Sequence, residues 1–316
     1  MIVRWGSGEL PRILGELGIE RPFVVASERW DDLELPAAAR WREIPSHRIE
    51  VPEGVDGVVA VGGGSAIDTA KAASAASGLP LVSIPTTYSG AEWTTFFGAR
   101  DPSKRMVGGG GGARAEGIVY DVELTLGLPR EETAGTALNA LAHCAEALYA
   151  AGRNEAADRE ALAGAALISD SLPRVLEDGS DREARTRLLE GAMHAGAALA
   201  GAGLALGHAM AQALGGRYGL PHGAMNALSL PAALRFNEPV AAAAIARFGD
   251  AMGTGDPVGR AEELARLGGF TRLRDAGVPG DELDQVAAAV ATRAGALANP
   301  RPASPAEIAD LLRSIW

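Results

Sequence analysis

Three histidines and one asparagine form the chain's strongest pattern for catalysis. Asn139 and His143 stand four residues apart in Asn-Ala-Leu-Ala-His, which places both on one face of a helix. His208 and His222 lie in GHAMAQALGGRYGLPHG, where glycines and a proline let the chain turn back and aim both imidazoles at one point. Three imidazoles and one oxygen donor suit a four-ligand site for Zn²⁺ or Fe²⁺. The oxygen donor is a neutral amide, a much poorer ligand than a carboxylate. The set therefore reads as a metal centre without its anionic ligand: Asn139, His143, His208 and His222 are expected to cluster, and both a metal-bound and a metal-free site stay open. His47 and His194 match no motif and are read as structural.

Two loops have the composition of ligand-binding turns. GVVAVGGGSAIDTAKA (57–72) reads as a strand, three glycines and a serine, then a helix. Glycines let the backbone approach a ligand, and the helix N-terminus offers unpaired N–H groups and a partial positive charge, which favours a pyrophosphate. A tight strand-to-helix connection is the plain alternative, and Asp68, in the first helical turn, also simply suits the helix dipole. IPTTYSGAEWT (84–94) gathers Thr86, Thr87, Tyr88, a serine and Glu92 after the next strand. That edge is where open α/β sheets bind ligands, although both threonines serve equally as loop caps. The run Gly108–Gly112 reads as a hairpin tip, or as backbone laid against a cofactor. Only Lys71 and Lys104 are lysines, against 27 arginines, so each is a candidate for a task that needs a compact ammonium.

These residues need two kinds of scaffold. Residues 1–128 alternate short apolar runs with helical patterns, the rhythm of a parallel sheet. Strands are expected at 1–5, 22–27, 57–62, 81–85 and 117–121, with helices near 9–18 and 65–77. From Arg130 the strand signals stop and alanine-rich helical periods take over, with helices expected at 131–151, 154–170, 172–178, 181–202, 204–214, 223–236, 239–251, 257–268, 281–296 and 304–315. The fold class is α/β plus all-α, with a dinucleotide-binding domain over 1–129 and a helical domain with the histidine cluster over 130–316.

Net charge is −11 with a sequence pI near 5.0, which argues against nucleic-acid binding. No apolar stretch reads as long enough to span a bilayer, and MIVRWGSGEL does not read as a signal peptide. The single cysteine, Cys144, cannot form an internal disulfide and is read as a small core residue in a cytoplasmic protein.

GGGSAIDTAKA, PTTYSGAEWT, YDVELTLGLP, NALAHCAEALYA, GHAMAQALGGRYGLPHG and NPRPASPAEI, in this order, resemble the iron-containing alcohol dehydrogenase family. Within it the chain is most similar to the maleylacetate reductase branch, which shares PTTY, YDxELTLxLP and the asparagine of NALAH. The resemblance implies a dehydroquinate synthase-like fold: a shortened Rossmann-like parallel-sheet domain and a C-terminal helical domain. It implies that Gly63, Gly64 and Ser65 hold the NAD(P) pyrophosphate with Asp68 at the same loop. Thr86, Thr87 and Tyr88 would line the path from adenine to nicotinamide, and Lys104 would lie near the cofactor. Metal-dependent members carry an aspartate and three histidines at the positions of Asn139, His143, His208 and His222; maleylacetate reductases are held to work without the metal, and Asn139 fits that branch.

The chain departs from the family pattern at several points. Gln212 replaces a customary histidine four residues after His208, and PHGAMNA is closer to the metal-dependent form. One customary helix is missing from 28–56. Ser27-Glu28 stands where an aspartate often binds the ribose, so NAD(H) and NADP(H) both remain open.

The implied function is a cytoplasmic, homodimeric NAD(P)H-dependent reductase. It would act on a carbonyl, or a C=C conjugated with one, in a small polar substrate, with no nucleic-acid or membrane partner. His208 and His222, then His143, are the expected catalytic groups; Arg217 and Arg235 are either substrate-carboxylate contacts or surface charges. A Zn- or Fe-dependent alcohol or aldehyde dehydrogenase and a non-catalytic nucleotide-binding subunit are the alternatives.

Overall fold

The computed structural model describes residues 1–101 and 106–316, so Lys104 lies outside the described residues. The chain divides into two compact units, Met1–Leu128 and Pro129–Trp316.

The first unit is built on an all-parallel sheet of β1 (Ile2–Trp5), β2 (Pro22–Ala26), β3 (Ala39–Trp41), β4 (Gly57–Gly62), β5 (Leu81–Pro85) and β8 (Ala115–Tyr120), in spatial order β1-β8-β5-β4-β2-β3. Every residue of β2, β4 and β5 is buried. Parallel strands covered on both faces lose the alternation of half-exposed ones, which is why they read as unbroken apolar runs. Helix α1 (Leu10–Glu16) packs Leu10, Ile13 and Leu14 against Val24, Val59, Val82 and Val119; each such side chain contributes about 1.5–3 kcal/mol relative to exposure. Helix α2 (Gly64–Ser77) follows β4.

Between residues 28 and 56 there is only a one-turn helix at Glu28–Trp30 and the three-residue β3, a strand too short for the sequence periodicity to show. The glycine run corrects the expectation of a hairpin tip. Met106–Gly110 is strand β7, paired antiparallel with β6 (Phe97–Arg100) in the register Phe97↔Gly110 and Gly98↔Gly109. A Cβ at Gly110 would lie 2.6 Å from Cζ of Phe97, and one at Gly109 would lie 2.8 Å from the Phe97 carbonyl oxygen. Side chains are excluded there because the ribbon closes on Phe97.

The second unit contains α3 (Arg130–Ala147), α4 (Glu155–Glu177), α5 (Arg182–Ala202), α6 (Leu206–Tyr218), α7 (His222–Ala251), α8 (Pro257–Leu267), α9 (Leu283–Ala291), α10 (Ala294–Leu297) and α11 (Pro305–Ser314). Helix α3 is buried almost all round, as a central helix must be. Small residues allow its neighbours in: a Cβ on Gly164 of α4 would meet Cys144 Sγ at 2.8 Å and the Gly191 carbonyl of α5 at 3.0 Å. Cys144 is accordingly a packing residue. No single helix among the described residues is long and apolar enough to cross a membrane.

Three helical expectations are corrected. Residues 154–170 and 172–178 form one helix, α4, that runs through Pro173. Residues 223–236 and 239–251 form one helix, α7, which runs through Pro231 and Pro239 and is interrupted only at Ala241 (φ −130°, ψ 23°). The expected helix 281–296 splits into α9 and α10. Proline removes one backbone hydrogen bond and crowds the preceding turn, and burial of the flanking Leu172, Val175, Leu230 and Leu234 holds the helix through it.

Helices α3 and α7 cross in close contact. A Cβ on Gly223 would lie 2.4 Å from both the carbonyl carbon and the oxygen of Gly135, so the two backbones touch. This crossing holds the first turn of α7, with His222, beside the turn of α3 with Asn139. Gly223→Ala is expected to force the helices apart, lowering stability to urea by about 1–3 kcal/mol, the usual cost of overpacking, and lowering turnover with it.

Candidate active site

The three expected histidines come together. The rings of His143 and His208 stack with centroids 4.6 Å apart and planes 18° from parallel, and His208 and His222 lie 5.8 Å apart at 53°. His143 and His208 are buried. One residue that the sequence reading passed over organises them. Glu146, one turn after His143 on α3, is fully buried and sits at the N-terminus of α6. Its carboxylate accepts the Ala205 N–H at 2.7 Å and the His208 N–H at 3.1 Å, and its Oε2 lies 2.8 Å from His208 Nδ1. A carboxylate surrounded by donors is an acceptor, so His208 donates from Nδ1. Its Nε2 is then the ring nitrogen left to act, and it is buried with no partner among the described residues. Gly207 leaves room for this arrangement, because a Cβ there would stand 2.9 Å from Glu146 Oε1.

Asn226, four residues after His222 on α7, is the second residue passed over. Its side-chain amide donates to Asn139 Oδ1 at 2.7 Å and lies 3.0 Å from His222 Nε2. With both amide hydrogens used, Asn226 bridges two of the four positions expected to meet a metal. That donor set fits a metal poorly. Asn139 offers a neutral oxygen that already accepts a hydrogen bond, and His222 Nε2 already faces Asn226. Gln212 is half-buried one turn beyond His208 on α6, and an amide does not titrate near neutrality.

Burial pushes His143 well below the ordinary histidine range, and the neighbouring His208 and His222 push it the same way. His143 is therefore uncharged at neutral pH.

In the first unit, the predicted nucleotide loop begins at the end of β4. Gly62 has φ +145°, and a Cβ there would lie 2.7 Å from that of Ala66, so the turn requires glycine. Helix α2 starts at Gly64 after the N-cap Gly63 and has no side-chain cap, which leaves its first N–H groups open in the way an anion site needs. Ser65 is exposed, while Thr86 and Tyr88 are buried. Thr87 packs against Gly63, where a Cβ would lie 2.8 Å from its Cγ2, and Thr87 Oγ1 is buried with no partner among the described residues.

Asp68 accepts the Gly98 N–H at 3.1 Å and lies 3.8 Å from Lys71 Nζ. Burial raises its pKa against the opposing pull of Lys71. Asp68 thus ties α2 to β6. Lys71 is wholly buried and donates to Thr94 Oγ1 at 2.7 Å, to the Phe96 carbonyl at 3.0 Å and to the Ala91 carbonyl. Three acceptors around one ammonium match its three hydrogens, and the bonds fasten the loop after β5 onto α2. Beside them Tyr120 donates to Glu92 Oε1 at 2.8 Å and accepts from Trp93 Nε1 at 2.7 Å.

Arg217 and Arg235 do not join the histidines. Arg217 pairs with Glu282 and Gln285, and Arg235 pairs with Glu262. Each guanidinium has a carboxylate in reach, the arrangement of the surface-charge reading. His47 accepts from Arg48 Nε at 3.1 Å, and His194 Nδ1 lies 2.6 Å from Glu160 Oε2.

The comparisons with known proteins identify the family. Residues 133–316 match the model of the Fe-containing alcohol dehydrogenase family, C-terminal, and residues 49–110 match that of iron-containing alcohol dehydrogenase. The chain belongs to the iron-containing alcohol dehydrogenase family. A maleylacetate reductase from Pseudomonas sp. (strain P51) is 34% identical over 99% of this chain and 95% of that protein. Maleylacetate reductase 1 of Rhodococcus opacus is 34% identical over 96% and 82%. The crystal structure of maleylacetate reductase from Agrobacterium tumefaciens matches with a TM-score of 0.88 at 29% identity, covering 100% of this chain and 95% of that one. That of an iron-containing alcohol dehydrogenase from Corynebacterium glutamicum reaches 0.90 at 29%, covering 100% and 94%. The chain sits in the maleylacetate reductase branch of the family and is an NAD(P)-dependent oxidoreductase of small molecules. These relatives favour the reductase reading over a metal-dependent dehydrogenase or a non-catalytic subunit.

Two outcomes are expected. Glu146→Gln turns an amide N–H toward donors, so turnover should fall about 10–100-fold, as when partners behind a reacting group are removed. Dinucleotide affinity, read by fluorescence titration, should stay unchanged; full turnover would remove Glu146 from the site. For His143, the unfolded chain takes up a proton near pH 6.5 that the native site resists. Stability should therefore be flat above that pH and fall as pH drops below it, with a slope approaching about 1.4 kcal/mol per pH unit from this group. Urea titrations of the wild type and His143→Gln between pH 5 and pH 8 check this, and parallel curves would contradict it.

Proposed function

We propose that the protein reduces a carbon–carbon double bond conjugated with a ketone in a small dicarboxylate, with maleylacetate as the substrate to test first. The observation that carries this reading is His208: its Nδ1 is held by Glu146 and its Nε2 is free, in a cluster whose donor set fits a metal poorly. The maleylacetate reductases at 34% identity support the same choice of substrate.

In this reading the dinucleotide binds at Gly63, Gly64 and Ser65, with Thr86, Thr87 and Tyr88 on the adjoining loop. Hydride leaves the reduced nicotinamide and forms a C–H bond at the carbon β to the ketone. The π electrons move toward the ketone oxygen as an enolate, and the nicotinamide is left oxidised. The enolate electrons return to re-form the ketone as the α carbon takes a proton from water, which completes the saturated product. In its doubly protonated form His208 keeps Nδ1–H on Glu146 and donates Nε2–H to the developing oxygen, and the fixed ring avoids reorganisation during the reaction. His222 borders the same point, and neutral His143 stacks behind His208 and holds its plane. The protein acts in the cytoplasm as a homodimer, without nucleic-acid or membrane partners.

The test is maleylacetate-dependent loss of nicotinamide absorbance with chelator-treated protein, using NADH and NADPH in turn. Turnover without metal, unchanged by added Zn²⁺ or Fe²⁺, is the expected result. His208→Ala should abolish it while dinucleotide binding persists. Turnover that appears only after metal is added would overturn the metal-free reading, and dinucleotide binding without turnover would overturn the substrate.

A further inference from the structure

We propose that the helical unit carries a second anion site, for a small dicarboxylate, in the cavity between α7, α8 and the end of α11. This site is separate from the histidine cluster and does not depend on the reaction proposed above. The cavity has a volume of about 320 Å³, within the range of small-molecule sites. None of Asn139, His143, His208 or His222 lines it.

Its buried floor is apolar, formed by Leu228 and Pro231 of α7, Ala265 of α8 and Phe270. Its exposed rim carries Arg235, Arg266 and Arg272, against the single lining carboxylate of Glu262. Glu262 is taken by Arg235. The nearby Asp275 accepts the Thr271 hydroxyl at 2.6 Å. Arg266 and Arg272 make no ion pair or side-chain hydrogen bond among the described residues, so two arginines line one cavity without a counter-charge of their own in a chain of net charge −11. Like charges brought together are costly until an anion joins them, and the planar fork of arginine suits a carboxylate in bidentate geometry. A pair of carboxylates joined by a short methylene chain uses both features, with the anionic ends on the two free guanidiniums and the chain on the apolar floor. Inorganic phosphate would leave the floor unused.

The probe is adipate, titrated calorimetrically into the full chain. Saturable binding is expected, weakening as salt is raised and falling at least about tenfold in the double variant Arg266→Gln/Arg272→Gln, the size of effect of losing hydrogen bonds to a charged group. The neutral diamide of adipate should not bind. The double variant should keep wild-type kcat and KM toward maleylacetate and an unchanged melting temperature, and His208→Ala should bind adipate as the wild type does. Adipate binding that survives in the double variant overturns the site, as does an absence of saturable binding. Loss of binding in His208→Ala would place the dicarboxylate at the histidines instead, and equal affinity for inorganic phosphate would overturn the choice of ligand. A failed maleylacetate assay leaves each of these readouts intact.

Discussion

The arrangement of the helical unit around its histidines depends on one buried carboxylate. An ionised group taken out of water is costly unless its lone pairs are filled. Glu146 meets this condition with two backbone N–H groups at the start of α6 and one imidazole nitrogen. The positive end of the α6 dipole adds to the compensation. The same contacts cap a helix that has no side-chain cap of its own and fix which nitrogen of His208 is free. Helix placement and ring chemistry are thus set by a single residue.

The other constraint is close approach. Gly135 and Gly223 let α3 and α7 touch, and that contact lets Asn226 reach Asn139 and His222 together. An aspartate at position 139 would present a charged acceptor here, whereas the asparagine settles into a neutral hydrogen-bond chain. The family is named for iron, but in this chain an amide bridge joins positions that a metal would otherwise join.

In the first unit a buried ammonium has the equivalent organising part. Lys71 takes three acceptors from the segment after β5, fastening the loop of Thr86, Thr87 and Tyr88 to α2, whose N-terminus has no side-chain cap. An arginine would be too large and too planar for that pocket of carbonyl and hydroxyl oxygens, which accounts for a lysine in a chain that otherwise uses arginine. The glycine ribbon of β6 and β7 and the Asp68–Gly98 bond extend the same attachment.

Much of this was legible in the sequence because it is local. Apolar runs located the strands of the parallel sheet, alanine-rich periods located the helices, and glycines after β4 marked a turn that closes only without side chains. The spacing of Asn139, His143, His208 and His222 placed them on faces able to meet. Tertiary structure alone decided the rest. Glu146 reads as one more helical glutamate until Ala205 and His208, about sixty positions away, are brought to it. Asn226 reads as a helical polar residue until α7 crosses α3. Arg217 and Arg235 have the chemistry of substrate contacts, but Glu282 and Glu262 take them first. Helix breaks are expected beside Pro173 and Pro239, and packing carries the helices through them. Periodicity records which face of an element is buried, but it holds no record of which distant donor will meet which acceptor, because that pairing forms only when the elements pack.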